Sequence, residues 1–403
     1  MTVQVPEGYV YLDWAATAPL CEEAAAAMRP YLEPGLASLS LNMNANSLHA
    51  PGRAAFEALE LARRQIARDL GASRPNEIVF TAGATEADNA ALCGIARAVQ
   101  ARERKRRGKD FSGRIVTTQL EHEAVTRPAE RLRAEGFDVV FLKPDRRGFV
   151  SAAALEEALG ADGRTVLVSV QMANSEVGAI QPIADLARCA HEAGALFHTD
   201  ATQAVGKMPF SLADLGVDAA SFSAHKICGP KGVGALYLKA RTPFEAQLLG
   251  GGQEEGRRST TQNVAGIAGF AAALQAAVAR EDAESARQRM LRDKLYATLA
   301  AVPGVRATVA VDPDSRAYLP NIVHVLVDGY ESETLVLRLD LAGFGVSGGS
   351  ACSSHSLEPS HVLRALGVSG DEAYGALRIS IGHFTTEDDV SRFAEALAAC
   401  IAK

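Results

Sequence analysis

The chain has 403 residues, of which 48% are apolar and 22% charged, and its net charge is −7. That length is too great for one small core and sets an expectation of two domains or three. A negative balance argues against a nucleic-acid protein, which needs a basic surplus.

No apolar run of membrane-span length is read, so no membrane partner is expected. Pro6, Glu7 and Gly8 interrupt the place where a signal peptide would carry its apolar core, so a cytoplasmic location is expected.

From residue 77 the pattern alternates between strand and helix. Residues 77–81 (EIVFT) read as a strand, followed by a helix over 85–107. That helix runs into a basic stretch: Arg102, Arg104, Lys105, Arg106, Arg107 and Lys109. It is either a solvated helix end complementing the helix dipole or a docking patch for an acidic partner. Next come a strand from Arg114, a helix over 124–135, a strand from Asp138, a short helix in SAAALEEALG and a strand from Thr165. A helix over 183–192 leads into a strand ending at Asp200. Such β–α repetition specifies a mostly parallel sheet covered by helices, with ligands gathered at the carboxyl ends of the strands. A long helical stretch after Asn263 meets no strong breaker until Pro303 and reads as a connector. Beyond it, IVHVLV and ALRISI read as strands, with helices over 333–342 and from Glu387. The fold class is therefore α/β. The expected division is a large domain of residues 15–262 and a smaller α+β domain built from 1–14 and 263–403.

Four segments carry chemistry. Lys226, in SFSAHKICGPKGVGALYL, follows a strand and precedes a glycine-rich turn. A surface lysine needs no such frame, whereas one that must condense with an aldehyde has to be desolvated and aimed. Asp200 ends the strand LFHTD, where a carboxylate can pair with a protonated pyridine nitrogen; taken alone it is equally a helix cap. In FTAGATEADNAAL the chain turns from strand to helix at Gly83, Ala84 and Thr85, which suits a phosphate, though Thr85 alone reads equally as a cap. His122, in QLEHEAV, could stack on a cofactor ring and relay protons, against a purely structural reading.

Six cysteines are present, none in a C-x-x-C pair, so neither a zinc site nor a disulfide framework is indicated. Cys21, Cys93, Cys189 and Cys400 sit in alanine-rich helical patterns as small apolar fillers. Cys228 reads as a packing residue beside Lys226, and His355 as a solvated loop histidine. Cys352 differs: GFGVSGGSACSSHS is rich in glycine and serine and reads as a loop able to swing a thiol. An unperturbed thiol is only a few per cent thiolate near pH 7, so such a site has to lower its pKa or take its proton.

Together FTAGATEADN, FHTDATQAVGK, SFSAHKICGPKGVGALY, GGGQEEGRRSTTQN and GGSACSSHSLEPSHVLRALG resemble the NifS/IscS-type cysteine desulfurases. These form a class V aminotransferase-like branch of the fold-type I pyridoxal 5'-phosphate enzymes. The resemblance runs from YLDWAATAP to RISIGHFTTEDD. It implies Lys226 as the cofactor lysine, with Ser223 and His225 binding phosphate or bracing it. It also implies Asp200 on the pyridine nitrogen, Gln203 on the phenolic oxygen, Ala84 and Thr85 on the phosphate, and His122 stacked on the ring. Asn174 would sit beside cofactor and substrate, and Arg378 would clamp the substrate carboxylate. Thr261 would reach the phosphate of a neighbouring subunit, so a homodimer is expected.

Catalytic roles thus fall to Cys352, Lys226 and His122. The implied reaction converts L-cysteine to L-alanine with a persulfide on Cys352, passed to an iron–sulfur scaffold or another sulfur-acceptor protein. No resident metal is expected, although Cys352 would be a transient ligand of an iron–sulfur cluster during transfer. Alternatives are a selenocysteine lyase or aminotransferase on the same fold, and, in another class, a non-catalytic sulfur-transfer scaffold. Four departures from the family pattern stand out: Trp14, Ala45 with Asn46, Ser175 and Thr260. Trp14 is expected to reshape the substrate pocket, and Thr260 replaces a glycine before Thr261.

Overall fold

The computed structural model describes residues 5–39, 41–349 and 359–402. Seven strands form the main sheet, in the spatial order Ile78–Thr81, Gly234–Leu238, Ala219–Ser223, Leu196–Asp200, Thr165–Ser169, Arg114–Thr118 and Asp138–Leu142. All run parallel except Gly234–Leu238, which is antiparallel to both neighbours. Because successive side chains point to opposite faces, each strand feeds two cores. Ile78, Phe80, Val116, Val168, Phe197 and Phe222 enter one buried cluster. Val79, Ile115, Leu167, Ala219 and Leu236 enter another, with Leu92 and Ile95 of the helix Ala84–Arg107 and Leu132 of the helix Glu123–Ala134. Burial on both faces explains why strands such as TVLVS lack polar alternation.

The expected elements from residue 77 onward appear within a residue or two of their places. Two earlier helices, Glu22–Leu32 and Ala50–Asp69, were not foreseen. The second carried a signal: Ala55, Leu59, Ala62 and Ile66 recur at helical spacing and are buried, and His49 caps its start by accepting from Gly52 N–H at 3.2 Å. The basic stretch is largely consumed at its own helix end. Arg106 pairs with Glu103 at 2.7 Å, and Arg104 and Arg107 donate to the carbonyls of Phe111 and Gly163.

The connector is a single helix, Val264–Leu299, of 36 residues. Val264, Ile267, Phe270 and Leu274 pack into the core of the large sheet. Leu291, Leu295 and Leu299 pack instead against Val323, Val325, Leu377, Ile379, Phe393 and Leu397. One rod thus serves two cores. It contains a window apolar and long enough to cross a membrane, contrary to the sequence reading, and half of that window is buried within the protein. The second core is backed by a three-stranded antiparallel sheet in the order Ala376–Ser380, Ile322–Val327, Val305–Ala307. Beside it, Val10–Tyr11 pairs in parallel with Phe344–Gly345.

A buried ion pair anchors the loop after Gly250. Glu254, with φ +52°, accepts from Arg63 at 2.6 and 3.0 Å and from Phe80 N–H at 3.1 Å, while Arg63 also donates to Ile78 O. Burial alone would raise the Glu254 pKa; the hydrogen bond and charge of Arg63 bring it below the ordinary value. The stability it contributes is therefore present above the usual carboxylate range and lost as pH falls through the lowered pKa. Removing one partner leaves an unpaired buried charge, so Arg63→Ala is expected to cost about 3–5 kcal/mol in urea unfolding at pH 7. The gap from wild type should narrow as the pH drops below about 4.

Candidate active site

A cavity of about 800 Å³ lies at the carboxyl ends of the parallel strands. Ala82 follows the strand Ile78–Thr81, His122 follows Arg114–Thr118, Gln171 follows Thr165–Ser169, and Asp200 and Ser223 end their own strands; all of them line it. Ala84, Thr85, Gln203, His225, Lys226 and Arg378 complete the set of foreseen residues that meet there. Asn174 and Thr261 are not among the lining residues. Asn174 stands one residue behind Ala173 and Ser175, and its side chain is committed to the turn: Oδ1 accepts from Glu176 and Val177 N–H, and Nδ2 donates to Leu120 O. Thr261 is exposed ahead of the helix Val264–Leu299.

Lys226 sits in a short 3-10 turn, Ala224–Ile227, closed by Cys228 in the left-handed region at φ +63°. Its Nζ donates to Ala15 O at 2.5 Å and Ala16 O at 2.9 Å. His225 makes a 3.1 Å hydrogen bond between Nδ1 and Thr17 Oγ1. Burial first, then the charges of Lys226, Lys231 and Lys207, push its pKa down to about 4, so it is neutral near pH 7. The Asp200 carboxylate accepts from Thr202 N–H at 2.9 Å, which fixes it at the strand end. His122 caps the helix Glu123–Ala134: Nδ1 accepts from Ala124 N–H at 3.1 Å. That hydrogen bond requires the neutral ring to carry its proton on Nε2.

The cavity's anion-binding end is the start of the helix Ala84–Arg107, whose first-turn N–H groups have no helical partners. Close backbone approach shapes it: a Cβ at Gly234 would stand 2.5 Å from Phe222 O and 2.7 Å from Gly83 Cα. Glu86 holds the turn by accepting from Ala82 N–H, and it pairs with Arg258 at 2.7 and 2.9 Å.

At another wall Arg378, 2% exposed, pairs with Asp13 at 2.8 Å and donates to Ser175 O at 3.0 Å. Since Ser175 contributes a backbone carbonyl, its departure from the family pattern does not alter that contact. Ser347 exchanges two backbone hydrogen bonds with Arg378, at 3.2 and 2.7 Å. Ser360 Oγ donates to the buried Glu176 at 2.7 Å. Cys352 and His355, between these anchors, lie outside the described residues.

Sequence reading missed the acids behind the site. Asp88 lines the cavity at 1% exposure, its carboxyl 3.6 Å from His198 Nε2; burial, then Asp200, raises its pKa well above the usual value. His198, fully buried and held neutral by that burial, bridges Ser169 and Ser221 at 2.8 and 3.0 Å. No motif marks residues whose role comes only from burial.

Two departures resolve. Trp14 does not line the main cavity; it packs on Gly382, where its ring leaves no room for a Cβ, and tilts against Tyr11 and Phe384. Thr260 is not at a positive φ, so no glycine-only conformation is needed there.

Glu121 is fully buried, accepting from Thr118 Oγ1 at 2.6 Å and from Gln171 N–H at 3.0 Å. Burial pushes its pKa up to about 8. Between the ordinary carboxylate range and pH 8 the folded state binds a proton that the unfolded chain has lost, so stability falls as pH rises there. Glu121→Gln is expected to raise the urea midpoint relative to wild type at pH 8 and to leave it nearly unchanged at about pH 4.

The arrangement fits a flat aromatic aldehyde bearing a phosphate. An amine and a carboxylate stand in one cavity large enough for cofactor and substrate, and a long helix supplies N–H groups for the anion. Gln203 Oε1 and Arg378 Nε are buried without partners among the described residues. The family profile described as aminotransferase class-V matches residues 10–393. A cysteine desulfurase IscS from Dictyoglomus turgidum is 41% identical over 394 residues, covering 98% of this chain and 95% of the relative. Among solved structures, a NifS-like protein is 36% identical with a TM-score of 0.86, covering 98% of this chain and 99% of that one. A structure of SspA in complex with cysteine is 31% identical with a TM-score of 0.77, over 94% of this chain and all of that one. The chain belongs to the class-V aminotransferase family, whose cofactor is pyridoxal 5'-phosphate.

Proposed function

We propose that this protein is a cysteine desulfurase that converts L-cysteine to L-alanine and hands on the sulfur for iron–sulfur cluster assembly. The observation that carries this reading is the meeting of Lys226, Asp200 and Arg378 in one cavity, with the segment bearing Cys352 rooted by Ser347 beside Arg378. Lys226 would hold the cofactor, Asp200 would keep its ring nitrogen protonated, and Ala84, Thr85, Ser223 and His225 would receive the phosphate. Gln203 would meet the phenolic oxygen, and Asn174 supports the adjoining turn. When bound, pyridoxal 5'-phosphate accepts the electron pair left at the substrate α-carbon.

The guanidinium of Arg378 releases part of its hold on Asp13 to bind the substrate carboxylate. Lys226 Nζ takes the α-proton, while His122, whose neutral ring carries its proton on Nε2, relays a proton. Cys352, as thiolate, attacks the substrate sulfur. The C–S bond breaks, its electron pair stays with carbon and is protonated, and an S–S bond forms on Cys352.

We propose further that the enzyme is a cytoplasmic homodimer divided at residues 15–262 against 1–14 and 263–403. Thr261 would contact the partner's phosphate site. In support, Leu48 and Leu249 are 91% and 84% exposed. Asn46 binds Gln262, and Ser259 N–H binds Leu248 O, so these apolar side chains flank Thr261 on one surface. The sulfur acceptor would be an iron–sulfur scaffold or other carrier protein.

Replacing Cys352 with serine should leave the visible absorbance of the bound cofactor intact and reduce alanine and sulfide release at least a hundredfold (~10²). Retained sulfide production by that variant would sink the assignment.

A further inference from the structure

Behind Lys226 lies a second cavity, of about 110 Å³, which shares Lys226 with the first. Its walls are mostly apolar, yet buried polar atoms without hydrogen-bond partners among the described residues converge on it: Lys207 Nζ, Gln288 Oε1 and both side-chain atoms of Asn321. Lys207 belongs to the segment DATQAVGK, which sends Asp200 and Gln203 to the front cavity and Lys207 to the rear one. Gly206 makes that turn, with φ +69°; a Cβ there would stand 2.9 Å from the Ala277 side chain and 3.3 Å from that of Ile227. Ser285 Oγ pins the next carbonyl, that of Lys207, at 2.7 Å. The Lys207 stem is partly exposed, while its ammonium is buried.

Among the described residues, the titratable groups lining this cavity supply no free counter-charge. Cys228 stays a neutral thiol, because burial pushes its pKa up to about 11, and burial raises that of Cys21 as well. Arg280 is itself cationic and is tied to Glu23. Glu284 is committed to Arg287 at 2.6 Å and to Gln288 at 2.7 Å, with His383 at 3.7 Å. His225, beside Lys226, is neutral, and its pKa is depressed in part by Lys207 itself. A buried cation acts on neighbouring groups able to gain or lose charge, and the Lys226 nitrogen, on the wall of the same cavity, is one of them.

We propose that Lys207 is a positioning residue for the chemistry at Lys226: its unpaired buried charge, across the shared cavity, lowers the proton affinity of the Lys226 nitrogen. The proposal rests on the reading that Lys226 carries the cofactor. It supplies what that lysine needs, since an amine beside another cation is a better nucleophile and base at neutral pH than a solvated one. Burial first, then the charge of Lys226, brings the pKa of Lys207 down to about 8. Lys207 is therefore still a cation at pH 7, and its influence fades as pH rises through 8.

The test is a pH titration of the visible absorbance of the cofactor-loaded protein. In Lys207→Gln, or in Lys207→Met should the glutamine variant not fold, the midpoint should rise by roughly one pH unit. In Lys207→Arg, which keeps the charge, it should stay close to wild type. An unchanged midpoint in a loaded neutral variant would overturn the proposal, as would an equal rise in the arginine variant. Absence of cofactor absorbance from the wild type contradicts the desulfurase reading instead. The shift is then read on cofactor-free protein, from the pH dependence of Lys226 acetylation by peptide mass. There the neutral variants should again show the higher midpoint, and an unchanged one overturns the proposal.

Discussion

The backbone between Leu12 and Ala18 is the constraint on which the site depends. Leu12 O accepts from Ser380 N–H at 2.7 Å, and Ala15 N–H donates to Ser380 Oγ at 2.9 Å, so the segment is stitched to the small sheet. Within the next few residues it turns to the large sheet. Ala15 and Ala16 carbonyls hold Lys226, Gln203 Nε2 donates to Ala15 O at 3.0 Å, and Ala18 N–H donates to His225 O. Asp13, on the same strap, fixes Arg378. Seven residues thus set where the amine stands relative to the guanidinium, and the two groups come from different sheets.

Trp14 explains why the strap holds its path. Its ring lies over Gly382, its Nε1–H donates to Tyr11 O at 2.9 Å, and it is 6% exposed. A side chain that looked in the sequence like a change to the substrate pocket is instead a bolt behind it. Trp14 also lines the rear cavity with Lys207; there the Ala15 and Ala16 carbonyls accept from Lys226 Nζ on one side, while the proposed effect of the buried Lys207 charge comes from the other.

Much of this was legible in the residues. The carboxyl-end positions of Asp200 and Ser223 followed from strand runs such as LFHTD and AASFS, because continuous apolar strands in β–α units leave few other places for polar ends. Lys226, between a strand and a glycine-rich turn, announced its frame. What stayed hidden depends on distance in the sequence. Nothing local in Asp88, Glu121 or His198 says that they are buried, and Lys207 resembles an ordinary turn lysine until its ammonium is found buried at the rear cavity. Arg63 and Glu254 are 191 positions apart, so no window of periodicity could pair them.

Three lysines, Lys207, Lys226 and Lys231, line the two cavities, and the proposed covalent role falls to Lys226 alone. Borohydride reduction of the protein purified with its cofactor, followed by digestion and peptide mass, locates the attached pyridoxyl group. The added mass should fall on Lys226 and on neither neighbour. A label on Lys207 or Lys231, or none on Lys226, would contradict the geometry from which the whole site is built.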